Sequence, residues 1–224
     1  MSTRKQPWNE NQEWLALPDS QKSYSVSLLN FFHYRRPRIA GSWTREETLT
    51  WELFLGIRLL PRELFLQQLL VLVAQALPVE NPLVPELLRS IDVLTITNSP
   101  SLGLQGNKRN SCSDLGIGAP SGAVIWFEAK TAPITTRALM AQLKTQRSAL
   151  VDLARSPHAE VIALLPAAQT KPEWPTITWR QIQDILSRCR SSLEALEPGT
   201  FGGLAGLAAE LEGRIREHPL RISG

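Results

Sequence analysis

Hydrophobic positions at helical spacing dominate the chain up to Ser90. The segment TREETLTWELFLGIRLLP opens with Thr44 and, three residues later, Glu47, which is a capping-box pattern, and its apolar residues then recur at helical intervals. This pattern predicts one helix that ends at Pro61, a second over residues 62–77 and a short third helix before Ser90. The chain up to that point is therefore predicted to be a helical N-terminal region.

After this region the pattern changes to β-branched and aromatic runs, which favour strands. Three strands are predicted first, at residues 91–97, 112–118 and 123–131, and the turn sequence APSG joins the last two into a hairpin. A long helix follows from Thr135 or Thr136, and then come a strand, a short strand and two helices, at residues 160–166, 176–179, 180–189 and 201–217. This order predicts an α/β fold with a central mixed sheet flanked by helices.

The third predicted strand ends in an unusual way. VIWFEAKTA is apolar until it produces Glu128 and Lys130, two residues apart. Side chains alternate faces along a strand, so this acid and this amine project from the same face as Trp126. Charged groups at the end of a buried strand are costly unless they have partners or a function.

A second acid is predicted to lie beside this strand end. If the hairpin pairs about its APSG turn, Asp114 lies near Glu128. Two convergent carboxylates repel each other unless a cation lies between them, and a hard divalent ion accepts such carboxylates together with a backbone carbonyl, here that of Ala129. A phosphodiester is the natural electrophile for such a site, where Lys130 would orient the attacking water or stabilise negative charge.

The long helix after this strand carries polar residues on its predicted inner side. The inner stripe is otherwise apolar and consists of Leu139, Leu143, Leu150 and Leu153. Gln146 falls in the middle of the stripe and Gln142 at its edge, so both amides need a polar partner. The outer side carries bases that could contact a phosphate backbone, namely Arg137, Lys144 and Arg147.

These residues together resemble the PD-(D/E)xK nuclease superfamily, which has the restriction-endonuclease-like fold. The resemblance covers roughly residues 91–179 and implies hydrolysis of phosphodiesters, usually of DNA, with Mg²⁺ or Mn²⁺ as cofactor. It implies that Asp114 and Glu128 are metal ligands, that Lys130 is the catalytic lysine and that Gln142 occupies the glutamine position of the following helix.

The chain departs from the family pattern at several positions. Ser113 precedes Asp114 where many members have proline, and Gln146 stands where a tyrosine often follows the helical glutamine. Members often carry an acid in the first core helix, which here would be Glu47 or Glu52. The capping box explains Glu47 better, so it is left out of the predicted site.

Composition narrows the class of protein further. The 224 residues carry a formal net charge of +3, which permits nucleic-acid binding without requiring it. Two cysteines and three histidines, all far apart, argue against a disulfide scaffold and a zinc site. The polar N-terminus lacks a signal-like apolar stretch, and the longest apolar run is too short to span a membrane, so we expect a cytoplasmic protein.

The sequence thus predicts two regions, a helical one at residues 1–90 and a nuclease core with C-terminal helices at residues 91–224. We expect a metal-dependent DNA nuclease that works as a homodimer or with a partner subunit that restrains or activates it. By analogy, it would belong to a bacterial restriction or phage-defence system. The alternatives are a catalytically silent nucleic-acid-binding or assembly subunit with the same fold, an RNA-directed nuclease, and a plain salt bridge at Glu128 and Lys130.

Three other segments remain candidates for nucleic-acid contacts. Lys108 and Arg109 lie in the long loop before Asp114, where they could reach phosphates. Residues 31–38 interleave aromatic with basic residues, although a helix end with packed aromatics is the preferred interpretation. The predicted arm over residues 1–20 contains tryptophans that could stack on bases.

Overall fold

The computed structural model describes residues 46–98, 114–131, 136–154, 158–166, 174–196 and 202–217. The predictions for the arm at residues 1–20, for the aromatic and basic segment at 31–38 and for Lys108 and Arg109 lie outside these residues. Within them the chain forms six α-helices and five strands, in the order of helices, three strands, a helix, two strands and two helices. The predicted α/β class is confirmed.

Most element bounds agree with the sequence pattern to within a few residues. The helices are α1 (Glu46–Leu59), α2 (Leu66–Ala76), α3 (Leu83–Arg89), α4 (Thr136–Ala154), α5 (Trp179–Ala195) and α6 (Gly202–Glu217). The strands are β1 (Thr95–Asn98), β2 (Leu115–Gly118), β3 (Val124–Ala129), β4 (Ala159–Leu165) and β5 (Thr176–Thr178).

The first predicted strand begins four residues later than expected. Residues Ile91–Val93 form a 3₁₀ turn, in which the N–H of Val93 donates to the carbonyl of Ser90. The neighbouring strand β2 offers pairing partners only to Thr95–Asn98, so the β-branched residues before them have no ladder to join. Residues 91–94 therefore stay outside the sheet despite their β propensity, because the partner strand β2 is too short to pair with them.

The five strands form one sheet in the order β1-β2-β3-β4-β5. Strands β1, β2 and β3 pair antiparallel, whereas β3, β4 and β5 pair parallel. Parallel neighbours need a crossover connection, and α4 lies in the crossover from β3 to β4. The open mixed sheet therefore places the end of β3 between a hairpin partner on one side and a parallel partner on the other.

Helix α4 packs on one face of the sheet. Its leucines join residues of β3 and β4 in one apolar cluster, which contains Trp126, Leu139, Leu143, Leu150, Val161, Ala163 and Leu165. Full burial of a leucine stabilises the fold by roughly 2 kcal/mol relative to its exposure. The apolar stripe of α4 therefore fixes its rotation about its own axis and determines which of its polar residues face the sheet.

The N-terminal and C-terminal helices pack together. Helix α5 lies along α6, and α1 contacts both α6 and β1. Ion pairs also join these helices. Arg214 of α6 binds Glu52 of α1 with an N–O distance of 2.7 Å, and Arg190 of α5 binds Glu212 of α6 at 3.1 Å. Helix α2 contacts β5 and α5, so helices from both ends of the chain surround the sheet.

Candidate functional site

The hairpin of β2 and β3 brings the two predicted carboxylates to the same end of the sheet. Leu115 pairs with Phe127, so Asp114 immediately before it lies beside Glu128 immediately after its partner. The turn closes through an N–H of Ala119 that donates to the carbonyl of Ala123 at 2.8 Å. Gly122 takes a φ of 93° in this turn, a conformation that glycine adopts without strain. The predicted hairpin about APSG is confirmed.

Asp114 is held by two hydrogen bonds to β3. Its backbone N–H donates to the carbonyl of Phe127 at 3.0 Å, and its carboxylate Oδ2 accepts from the N–H of Ala129 at 2.8 Å. Ala129 is the residue between Glu128 and Lys130. The carboxylate of Asp114 therefore lies against the backbone of the acid-x-lysine triplet, as the sequence predicted.

Glu128 is the most deeply buried acid of the site, with 3% of the residue exposed. Its Oε1 accepts from the Nζ of Lys130 and from the Nε2 of Gln142, both at 2.5 Å. Its Oε2 accepts from the Nε2 of Gln146, also at 2.5 Å. A buried carboxylate is strongly destabilising without such donors, and here three N–H groups serve one carboxylate.

Lys130 lies one residue beyond the end of β3, yet its backbone remains fixed. Its N–H donates to the carbonyl of Leu164 at 2.8 Å and continues the parallel ladder to β4. Its Nζ also donates to the carbonyl of Ala129 at 2.9 Å, in addition to the bond to Glu128. Glu128 and Lys130 project from the same face, as expected, and they form the ion pair that the sequence left open as an alternative to a catalytic role. The carbonyl that the sequence suggested as a metal ligand is in contact with the ammonium group.

The two glutamines come from α4 and face inward, as predicted. They lie four residues apart, one helical turn, so both amides reach the same carboxylate. Gln146 is fully buried at 0% exposure, whereas Gln142 is only partly buried. The partner that their inward position required is therefore Glu128. Of the predicted inner leucines, Leu139, Leu143 and Leu150 are buried, and the side chain of Leu153 lies outside the described residues.

The bases on the outer side of α4 differ in their surroundings. Arg137 and Lys144 are exposed. Arg147 is also exposed, but its Nε binds the Oε1 of Glu160 on β4 at 2.9 Å. Burial raises the pKa of the Glu160 carboxyl, and the Val161 N–H and the Arg147 guanidinium counteract part of that increase. Arg147 is thus already engaged by an acid of its own chain.

Sequence reasoning missed one contact to the site. The indole Nε1 of Trp179 donates to the backbone carbonyl of Lys130 at 3.0 Å, across 49 positions of the chain. Trp179 was predicted to end a strand, but it is the first residue of α5. Thr178 caps this helix and stops the strand before it, because its side chain accepts from the N–H of Gln181. A tryptophan at a helix start gives no sequence signal of so distant a partner.

The resemblance also implied an acid in the first core helix, and Glu52, one of the two candidates, pairs with an arginine of another helix. The carboxylate of Glu52 binds Arg214 of α6 at 2.7 Å, so its position in α1 is explained by this buried ion pair. The side chain of Glu47 lies outside the described residues. The structure therefore brings together Asp114, Glu128, Lys130 and Gln142, and it adds Gln146 to them.

The donor set of the site suits a hard divalent cation. Asp114 and Glu128 provide two carboxylates, and Ala129, which follows Glu128 and binds Asp114 through its N–H, provides a carbonyl that the ammonium of Lys130 contacts. Mg²⁺ is commonly held by one or two carboxylates, with waters and substrate phosphates completing its shell. The described residues contain no group of three or more histidine, cysteine, aspartate and glutamate side chains that could hold a metal ion. Any metal here would therefore rely on ligands beyond these two acids.

Comparison with known proteins gives no family for this chain. No protein-family model, curated protein or solved structure matches it. Within the described segments, no helix combines the length and apolar character that a membrane span requires. The function of the site must therefore be argued from its own residues.

Proposed function

We propose that this chain is a metal-dependent nuclease that hydrolyses DNA phosphodiester bonds on a restriction-endonuclease-like core. The observation that carries the proposal is the buried carboxylate of Glu128, which lies 2.5 Å from the Nζ of Lys130 at the end of a central strand and beside Asp114. Replacing a buried ion pair with apolar residues often leaves stability unchanged or improves it. A function explains better than stability why this sequence places charge there.

Asp114 and Glu128, with the carbonyl of Ala129, would hold Mg²⁺ or Mn²⁺. A bound divalent ion would balance the two acids and polarise a phosphoryl group of the substrate. The three charged side chains Asp114, Glu128 and Lys130 sum to one negative charge, which favours a cation at this position. The backbone of Ala129 contacts both an acid and the base of the site, because its N–H binds the carboxylate of Asp114 and its carbonyl contacts the ammonium of Lys130.

Lys130 would stabilise negative charge that develops on the phosphate. Its ammonium is held in place before the substrate arrives by Glu128 and by the carbonyl of Ala129. A donor that is already oriented does not have to reorganise during the reaction, and removal of one such group typically lowers the rate by about 10²- to 10³-fold. Lys130 is therefore proposed as the catalytic lysine.

Gln142 would orient the attacking water or a phosphate oxygen. Its amide nitrogen uses one hydrogen to bind Glu128. A primary amide has a second hydrogen and an acceptor oxygen, which would serve the substrate. Gln142 is only partly buried, whereas Gln146 is fully buried, so Gln142 is the amide that a substrate can reach.

The outer face of α4 supports a nucleic acid as substrate. Arg137, Ala141, Lys144 and Ser148 are exposed and share one helical face, and the acid Asp152 follows only one turn after Ser148, near the helix end. Small, hydroxyl and basic side chains let a phosphate backbone approach a helix closely. DNA rather than RNA, a restraining partner or second copy, and a role in phage defence follow from the family resemblance alone.

A second candidate function is a silent nucleic-acid-binding or assembly subunit. One observation favours it, namely that the carboxylate of Glu128 already accepts three N–H donors from its own chain. Such a satisfied cluster can fix the packing of a core without any reaction. The two candidates differ in metal binding, because only the nuclease requires Asp114 and Glu128 to hold a cation.

Cleavage assays with matched variants test the proposal. Plasmid and single-stranded DNA are incubated with Mg²⁺, Mn²⁺ or EDTA, and wild type is compared with Glu128→Gln and Lys130→Met. Glu160→Gln is the control, since Glu160 is also a buried acid, 8% exposed, on the neighbouring strand. We expect metal-dependent cleavage that falls by about 10²-fold or more in both site variants and persists in the control.

An inactive wild type requires a second measurement, which is metal binding. If wild type cleaves no DNA, calorimetric titration with Mn²⁺ compares it with Asp114→Asn. If Mn²⁺ does not bind, or binds the Asp114→Asn variant equally well, the nuclease is excluded and the silent subunit remains. Binding that disappears in the variant would instead direct attention to the missing activator.

A further inference from the structure

We propose that Trp179 is a positioning residue that holds Lys130 in its working orientation. Any effect on cleavage rests on the proposed nuclease function, whereas the position of Lys130 can be tested without it. The junction of β5 and α5 contributes no side chain to the acid–amide cluster, which consists of Asp114, Glu128, Lys130, Gln142 and Gln146. This junction would nevertheless control the position of the ammonium group.

The contact between Trp179 and Lys130 is a hydrogen bond from a buried indole to a backbone carbonyl. The indole Nε1 lies 3.0 Å from the backbone oxygen of Lys130, and Trp179 is fully buried at 0% exposure. A buried indole N–H requires an acceptor, so this bond is expected to persist as long as the ring stays in place. The carbonyl of Lys130 therefore has a fixed direction.

Lys130 needs this support because it lies outside the regular strand. Its N–H is held by the carbonyl of Leu164, and its carbonyl is held by Trp179. Both peptide groups that flank its Cα are thus fixed, although the ladder of β3 ends at Ala129. The direction of the Cα–Cβ bond follows from the backbone, and the long side chain is thereby aimed at Glu128.

Trp179 is itself held rigidly. Thr178 pairs with Leu165 in the parallel ladder, and it forms a capping box with Gln181 at the start of α5. In this box the N–H of Thr178 donates to the Oε1 of Gln181 at 2.8 Å. The strand end and the helix start therefore fix the position of the indole from both sides.

Trp174 offers a matched comparison within the same chain. Its Nε1 donates to the carbonyl of Val161 at 2.6 Å, so it is also an indole that binds a backbone oxygen of the sheet. Val161 pairs with Trp126, two positions before Glu128, and Trp174 packs against the apolar cluster under α4. Loss of this bond should cost similar stability without reaching Lys130 directly.

The test measures the reactivity of individual lysines. Wild type, Trp179→Phe and Trp174→Phe are acetylated briefly under native conditions, and each lysine is quantified by mass spectrometry. Exposed Lys144 serves as the internal reference in every sample. A phenylalanine keeps a six-membered aromatic ring and removes the N–H donor together with the rest of the indole, and Trp174→Phe makes the same change at the control position. We expect the reactivity of Lys130, relative to Lys144, to rise about fivefold in Trp179→Phe and to stay at the wild-type value in Trp174→Phe.

Kinetics give a second readout. Trp179→Phe should lower kcat for DNA cleavage by roughly 10-fold or more with little change in KM, because misplacement of a catalytic group affects the transition state more than binding. Trp174→Phe should remain within about twofold of wild type, as expected for a substitution away from the reacting groups. A similar fall in both variants would reflect general destabilisation and would overturn the proposal.

A second variant covers the case in which Trp179→Phe does not fold. Thr178→Ala removes the cap and loosens the indole while leaving its ring intact, and we expect the same change in Lys130 in a smaller amount. Unchanged Lys130 reactivity in both variants overturns the proposal, even if wild type is an active nuclease. An inactive wild type that also shows no Asp114-dependent Mn²⁺ binding, with altered Lys130 reactivity in both variants, would instead refute the proposed function and keep the positioning role.

Discussion

Two clusters of charged side chains in the described residues are built differently. At the α1–α5–α6 packing each acid is held by a guanidinium group: Glu52 and Glu210 bind Arg214, Glu212 lies between Arg190 and Arg216, and Glu194 lies beside Arg190. At the end of β3, Glu128 meets one ammonium and two neutral amides. The first cluster holds its acids with charged guanidinium donors, whereas the second holds Glu128 with two neutral amides besides the ammonium and, with Asp114, keeps one negative charge.

The difference shows what amide donors achieve that basic side chains do not. A glutamine satisfies the lone pairs of a buried carboxylate without cancelling its charge. An arginine does both, so a carboxylate that it holds has little attraction left for a metal ion. The helical cluster is therefore suited to hold elements together, and the strand-end cluster is suited to attract a cation.

The largest expected effect is a loss of stability without a loss of activity. Glu52→Ala removes the 2.7 Å partner of Arg214, which is 14% exposed, and breaking a buried pair costs about 3 kcal/mol of unfolding free energy. We expect a clearly lower midpoint in urea denaturation and an unchanged cleavage rate per folded molecule. An equal fall in that rate for the folded fraction would mean that the two clusters are not separate in function.

A smaller effect is expected from one of the amides. Gln146→Leu is nearly isosteric and removes the donor to the Oε2 of Glu128, which is expected to cost about 1–2 kcal/mol of unfolding free energy. We also expect weaker Mn²⁺ binding in calorimetric titration, because the carboxylate is no longer held in one orientation. Stronger Mn²⁺ binding would show that Gln146 competes with the metal rather than preparing its ligand.

The smallest effect concerns the exposed charges next to the site. Lys144→Gln should weaken DNA binding a few-fold at low salt and reduce the slope of log affinity against log salt by about one, as expected for one lost phosphate contact. Fluorescence anisotropy with a labelled duplex measures both quantities. Arg188→Gln is the control, since Arg188 is an exposed base on α5 outside this face. Equal changes in both variants would contradict a specific role for α4.

The sequence was informative wherever the pattern was local. The hairpin, the shared face of Glu128 and Lys130, and the inward glutamines all follow from turn chemistry and from strand and helix periods over short distances. The Glu52–Arg214 pair joins residues 162 positions apart, and no periodicity connects them. The late start of β1 depended on the length of its partner, and the indole bond to Lys130 depended on where a helix begins.

The short sequence distances within the strand-end cluster also bear on how the protein folds. The hydrogen bonds that join its members span 2 to 18 positions, whereas α1 and α6 must meet across almost the whole described chain. Closing short loops costs less entropy and proceeds faster than closing long ones. During synthesis, the β2–β3 hairpin and the first turns of α4 leave the ribosome before α6 exists. The acid–amide cluster is therefore expected to form on the nascent chain first, and the ion pairs among α1, α5 and α6 are expected to form last.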